Sequence, residues 1–138
     1  MQIERRLSQR LPVGFYMRQI IGDQPHRCFT TDLSAIGLYA ERLVEPFERN
    51  SSVVQVELPL PNTGDAIWAK GEVVYDNFDS IFHGTAIRFT AMARKHQRML
   101  RDWLREAHRA QTRQVDQSRH VDGEVVILRP ERRAAIAA

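Results

Sequence analysis

Apolar and polar positions alternate with period two through the first two thirds of the chain, then change to a three-and-four spacing. Val13, Phe15 and Met17 share one face, with Gly14, Tyr16 and Arg18 opposite, as expected of a half-buried strand. Gly22 to Pro25 (GDQP) reads as a turn, and His26 to Thr31 as the returning strand. After Asp32 to Ile36, extended character resumes from Gly37 to Glu41. Ser52 to Leu58 alternates most cleanly, Val54, Val56 and Leu58 against Val53, Gln55 and Glu57. Ala66 to Tyr75 predicts a long strand with Gly71 at a bulge or close contact, and His83 to Phe89 predicts the last one. The intervening ERLVEPFERN, PLPNTGD and DNFDSIF are read as connections, the first with one helical turn. Six short strands with no long helix between them predict an all-β fold, a six-stranded antiparallel β-barrel whose closure removes the sheet edges.

Beyond Thr90, Met92, His96, Met99, Leu100, Trp103, Leu104 and Ala107 recur at helical spacing, and Arg94, Lys95, Arg98, Arg101, Asp102 and Arg105 fill the other side. A C-terminal helix from Ala91 to about Arg109 follows, with its stripe laid on the barrel and Trp103 as the largest anchor. The expected organisation is an arginine-bearing flexible arm at 1–11, barrel and closing helix at 12–109, and an extension at 110–138. That extension contains a candidate strand, Val125 to Leu128, open to pairing with a barrel edge or another subunit.

Charge sharpens this picture. The 138 residues carry a formal net charge of +3 and 43% hydrophobic content, enough for one core. Residues 32–86 hold nine acids against three bases, whereas 94–113 hold seven bases against two acids. Positive charge gathered at the two ends of a domain fits a local anion site and a basic helix better than the broad basic face of a duplex-binding protein. Cys28 is the only cysteine, so no internal disulfide or cysteine-based metal set forms, and in a strand it reads as a small buried hydrophobe. MQIERRLSQR has no apolar signal-peptide run, and no segment reaches the roughly 18 apolar residues of a membrane span. A cytoplasmic protein is expected.

Two short motifs remain. Arg6-Leu7-Ser8-Gln9-Arg10 precedes the first strand, and Asp32-Leu33-Ser34-Ala35-Ile36-Gly37 joins the next two. Alone, the second is an Asx-turn with its exit, and the first a pair of solvated charges. In this order, ahead of and within this strand pattern, R-x-x-x-R and D-x-S-x-x-G resemble the two motifs of the PilZ domain family. The runs from Gly71 and from Gly84 to Phe89, and the closing helix, are similar too, so the resemblance covers roughly residues 4–106.

That resemblance implies a PilZ-type barrel that binds the bacterial second messenger cyclic di-GMP (c-di-GMP). The implied ligand residues are Arg6, Arg10, Asp32, Ser34 and Gly37. Arg5, just before the first motif arginine, is an additional stacking or phosphate contact. The chemistry suits the ligand: an arginine fork matches guanine O6 and N7 or a phosphate, a carboxylate accepts from guanine N1–H and N2–H₂, and a serine hydroxyl donates to phosphate or caps a turn amide. Gly37 leaves room where the backbone turns or a base lies close. The implied role is a stand-alone receptor, not an enzyme, that changes arm conformation and acts on a protein effector in motility or biofilm behaviour. No cofactor is implied beyond the dinucleotide ligand.

Two other readings stay open at this point. A ligand-independent adaptor for pilus assembly is disfavoured by the intact arginine motif, and a small nucleic-acid-binding barrel by the lack of aromatics on the charged helix face. No specific nucleic acid is expected as a partner. His26, Cys28 and Asp32 suggest a triad, but no oxyanion-donating segment accompanies them. The other histidines are scattered, so no metal is assigned. Trp68 is left outside the site. The helix and tail offer surfaces for a homodimer, and a monomer follows if the barrel uses the whole apolar stripe.

Overall fold

Six antiparallel strands close on themselves in the computed structural model, which describes residues 9–44, 51–79 and 81–120, with side chains through 113. They are β1 (Leu11–Ile21), β2 (Gln24–Leu33), β3 (Gly37–Leu43), β4 (Val53–Pro59), β5 (Ala66–Phe78) and β6 (Phe82–Met92), followed by helix α1 (Arg94–His120). Around the closed barrel the order is β1-β2-β3-β6-β5-β4. The six-stranded antiparallel barrel and C-terminal helix are those expected from the sequence pattern.

Alternation sets which residues enter the core. Met17, Leu33, Leu38, Val54, Val56, Leu58, Ile67 and Ile87 all point inward and are buried, because successive side chains of a strand face opposite sides. Cys28 is buried among them. The barrel closes at its seam through only three pairs between β1 and β4, Arg18↔Glu57 to Ile20↔Gln55. Near that seam the Trp103 ring meets Phe15 edge-on at 6.2 Å, and its indole N–H donates to the Pro61 carbonyl at 3.1 Å. Leu100 and Leu104 complete the buried stripe of α1.

Boundaries differ from the sequence reading in instructive places. Leu11, placed in the arm, is buried and pairs with Leu33 in β1. Asp76, Asn77 and Phe78, read as connection, extend β5. A tight turn follows them, in which the Asp79 carboxylate accepts from the N–H groups of Ile81 and Phe82. Ala91 and Met92, read as helical, are the last residues of β6 and pair with Lys70 and Ala69. The first helical bond accordingly runs from the Gln97 N–H to the Ala93 carbonyl.

The helix also continues past Arg109. The helical residues 105–120 fall in a unit separate from the barrel, where Glu106 pairs with Arg109 and Arg113, and the Thr112 hydroxyl donates to the His108 carbonyl. Residues 1–8, the 45–50 stretch of the predicted loop and the candidate strand at 125–128 lie outside the described residues. Among the described residues no helix is long and apolar enough to cross a membrane.

Candidate functional site

Two bulges aim the end of the barrel that carries the D-x-S-x-x-G motif. The pairing of β2 with β3 slips between Thr30 and Asp32. Thr30 and Leu33 are both fully buried, so one extra residue between inward positions turns Asp32 outward. The pairing of β1 with β2 slips between Pro12 and Phe15, at the entry of the chain from the arm. Together these place Arg10 over Asp32. The guanidinium Nη1 lies 3.2 Å from Asp32 Oδ1 and 3.5 Å from Oδ2. With the Arg10 and Asp32 side chains 54% and 27% exposed, the pair is screened by water and contributes at most about 1 kcal/mol.

Ser34 and Gly37 build the elbow between β2 and β3. Ser34 is buried, and its hydroxyl oxygen accepts from the N–H groups of Ile36 and Gly37, each at 3.2 Å. Its hydroxyl is within 3.3 Å of the Gly37 carbonyl, which also accepts from the Ser34 N–H at 2.9 Å. Of the roles open to this serine, capping the turn amides is the one its contacts perform. Gly37 stands directly across from Arg88 of β6. A Cβ there would overlap the Ile87 carbonyl oxygen and lie 3.2 Å from Arg88 Cα, so the position requires glycine because of strand approach. The motif residues Arg10, Asp32, Ser34 and Gly37 thus share one rim of the barrel, while Arg5 and Arg6 lie outside the described residues.

The suggested triad does not assemble. Cys28 faces the core, where its thiol lies 3.5 Å from Gln19 Oε1, whereas Asp32 faces outward to Arg10. Among the described residues no three His, Cys, Asp or Glu side chains gather as a metal site would require.

Two neighbours of the motif were not singled out by the sequence. Tyr39 pairs with Asp32 across β2 and β3 and with Ala86 of β6, and its ring covers Gly84, where a Cβ would collide with the phenol. Arg88, exposed beside Gly37, reaches Glu72 at 3.4 Å. The signal for both was present in the alternation, since outward Tyr39 follows Gly37 by two. What was missing was the β3–β6 pairing, a contact between distant segments.

Burial raises the Tyr39 phenol above its usual 10.0, and Glu41, Tyr75 and Asp32 add to the rise against the lowering hydrogen bond to Asn77. The neutral phenol therefore stabilises the fold fully below the unfolded value near 10 and loses that contribution as pH rises through the folded value. Ultraviolet titration should find Tyr39 ionising late, and Tyr39→Phe should lose stability less steeply above pH 10. An unchanged alkaline profile in the variant would contradict this placement of Tyr39.

The PilZ domain family model matches residues 4–106. The chain belongs to the PilZ domain family. PilZ domains are receptor and adaptor modules without catalytic chemistry. This PilZ chain has the fold of several solved structures. It resembles the Bacillus subtilis inhibitor of motility MotI/DgrA at 16% identity and TM-score 0.62, over 75% of this chain and 49% of that one. It resembles the PilZ domain of Escherichia coli YcgR with c-di-GMP at 15% identity and TM-score 0.57, over 78% and 95%. It also resembles E. coli YcgR in complex with c-di-GMP at 14% identity and TM-score 0.60, over 79% and 48%. The PilZ chain thus spans about half the length of MotI/DgrA and of YcgR in that complex. No curated protein sequence matches it.

Proposed function

We propose that this PilZ protein is a c-di-GMP receptor in which the N-terminal arm and the elbow form two sides of one ligand site. The observation that carries the reading is the Arg10–Asp32 ion pair, through which the two motifs, 22 residues apart, meet on one surface. Arg10 and Asp32 are complementary to the same ligand. The arginine fork matches guanine O6 and N7 or a phosphate oxygen pair, and the carboxylate accepts from the guanine N1–H and N2–H₂ edge. Because the exposed pair is weak, each partner is readily given up to stronger charge-assisted contacts. Ser34 acts by holding the elbow, and Gly37 by letting β3 and β6 approach beneath it. By their position in the motif, Arg6 and Arg5 complete the ligand set in this reading.

The liganded arm and barrel then present a surface that differs from the empty one, and a protein partner reads the difference. Motility or biofilm behaviour is the proposed output. It is supported by the family and by the likeness to an inhibitor of motility and to structures that hold c-di-GMP. Calorimetric titration of the full chain with c-di-GMP, GTP and single-stranded DNA tests the reading. Saturable binding of the dinucleotide alone is expected. Failure of c-di-GMP to bind, or equal binding of single-stranded DNA, would refute it.

A further inference from the structure

A groove of about 390 Å³ runs between the elbow and the first turns of α1. Its apolar lining includes Ile36 of the elbow, Phe89 and Met92 of β6, and Leu100 of the helix. Ile36 is 58% exposed there, an unusual placement for a large aliphatic side chain with a buried serine on the same loop. The two banks are basic: Arg88 stands on the barrel side and Arg101 on the helix side, with Gln97 between turns.

Charge distinguishes this groove from ordinary surface. Arg101 lines the groove, and Arg94 and Arg98, which lead to it along α1 at steps of four and three residues, share its helix face beside the groove; all three are exposed. None of the three forms an ion pair among the described residues. No acidic residue occupies the first helical turn. An apolar floor between Arg101, which has no ion pair among the described residues, and Arg88, held only by an exposed and weak pair with Glu72 at 3.4 Å, is complementary to a chain that offers aliphatic side chains and carboxylates together. Nucleic acid fits less well, since single strands need aromatic platforms. The one aromatic ring in the lining, Phe89, is half-buried in the floor, and Trp103 is committed to Phe15 and Pro61.

We propose that this groove is the docking surface for a partner protein, and that the partner presents an acidic, aliphatic segment to it. Ile36 ties the groove to the elbow: its N–H donates to Ser34 Oγ, and its carbonyl accepts from the Phe89 N–H at 2.8 Å. A ligand on Asp32 and an occupant on Ile36 therefore bear on the same six-residue loop. Either one stabilises the loop conformation that the other requires, and the coupling is reciprocal. This coupling, though not the docking surface itself, rests on the c-di-GMP reading.

Selection from a random peptide library against the full chain tests the proposal, with and without saturating c-di-GMP. Enriched peptides are then labelled with fluorescein and titrated by anisotropy. Enrichment should favour sequences that combine Asp or Glu with Leu, Ile or Val. Arg101→Glu should weaken them about tenfold or more while leaving c-di-GMP affinity unchanged, and Arg98→Glu should act in the same direction. c-di-GMP should raise peptide affinity by about fivefold or more. No enrichment, enrichment without acidic bias, or equal binding to the Arg101→Glu chain overturns the proposal. So does single-stranded DNA that binds through Arg101 more tightly than any peptide. If c-di-GMP itself fails to bind, the receptor reading falls while the peptide arm still decides the docking surface.

Discussion

Arg10→Ala is expected to weaken c-di-GMP binding by about 30- to 1,000-fold while leaving the melting temperature almost unchanged. The size follows from losing two charge-assisted hydrogen bonds of one fork, about 2–4 kcal/mol in total, at 1.4 kcal/mol per tenfold. The small stability effect follows from exposure, since the Arg10–Asp32 pair is solvated on both sides and such pairs contribute little. Arg10→Lys keeps the charge and loses the fork, so most of the loss should remain. Calorimetric titration and a circular-dichroism melt measure the two quantities on the same sample. Binding in Arg10→Ala within a few-fold of the parent would remove the arm from the site.

Gly37→Ala should behave in the opposite way, acting on the fold before it acts on the ligand. The added Cβ overlaps the Ile87 carbonyl oxygen, a backbone atom that cannot rotate aside. Overpacking of this kind costs about 2–3 kcal/mol, which lowers the melting temperature by roughly 10–20 °C in a domain of this size. A thermal melt checks it directly, and Gly37→Val should be worse. A parent-like melt for the alanine variant would mean that β3 and β6 do not approach as described. Comparing the variants separates two kinds of motif residue, Arg10 at the contact surface and Gly37 in the scaffold beneath it.

How far the sequence could be read depended on what each residue packs against. Val54, Val56 and Leu58 were legible because one face of β4 meets the core and the other meets water. The bulge at Thr31 was not, since a one-residue slip follows from pairing with β3 and leaves no local mark. The far end of β5 was missed because Val74 to Phe78 are all exposed, so no alternation of buried and solvent-facing positions marks it. There Asp76, at the surface, lies 2.7 Å from Nε2 of the buried His83, with buried Arg42 and Thr85 beside it. Period-two reading counts apolar positions and so stopped at Tyr75. The motif residues were found by type and order, but their division of labour required coordinates. Ser34 could equally have faced a phosphate, and only its bonds to Ile36 and Gly37 reveal the cap.

The pairing order has a consequence for how the chain acquires its shape. β1-β2-β3 and β4-β5-β6 are each sequential meanders, built from contacts between near neighbours in the chain. Only the β3–β6 junction and the three-pair seam join them, and each requires closing a loop of tens of residues, the slow kind of step in β topologies. The elbow belongs to the first meander, and Arg88 to the second. The surface where the elbow meets Arg88 is therefore expected to form late in assembly, when the two halves zip together along Gly37.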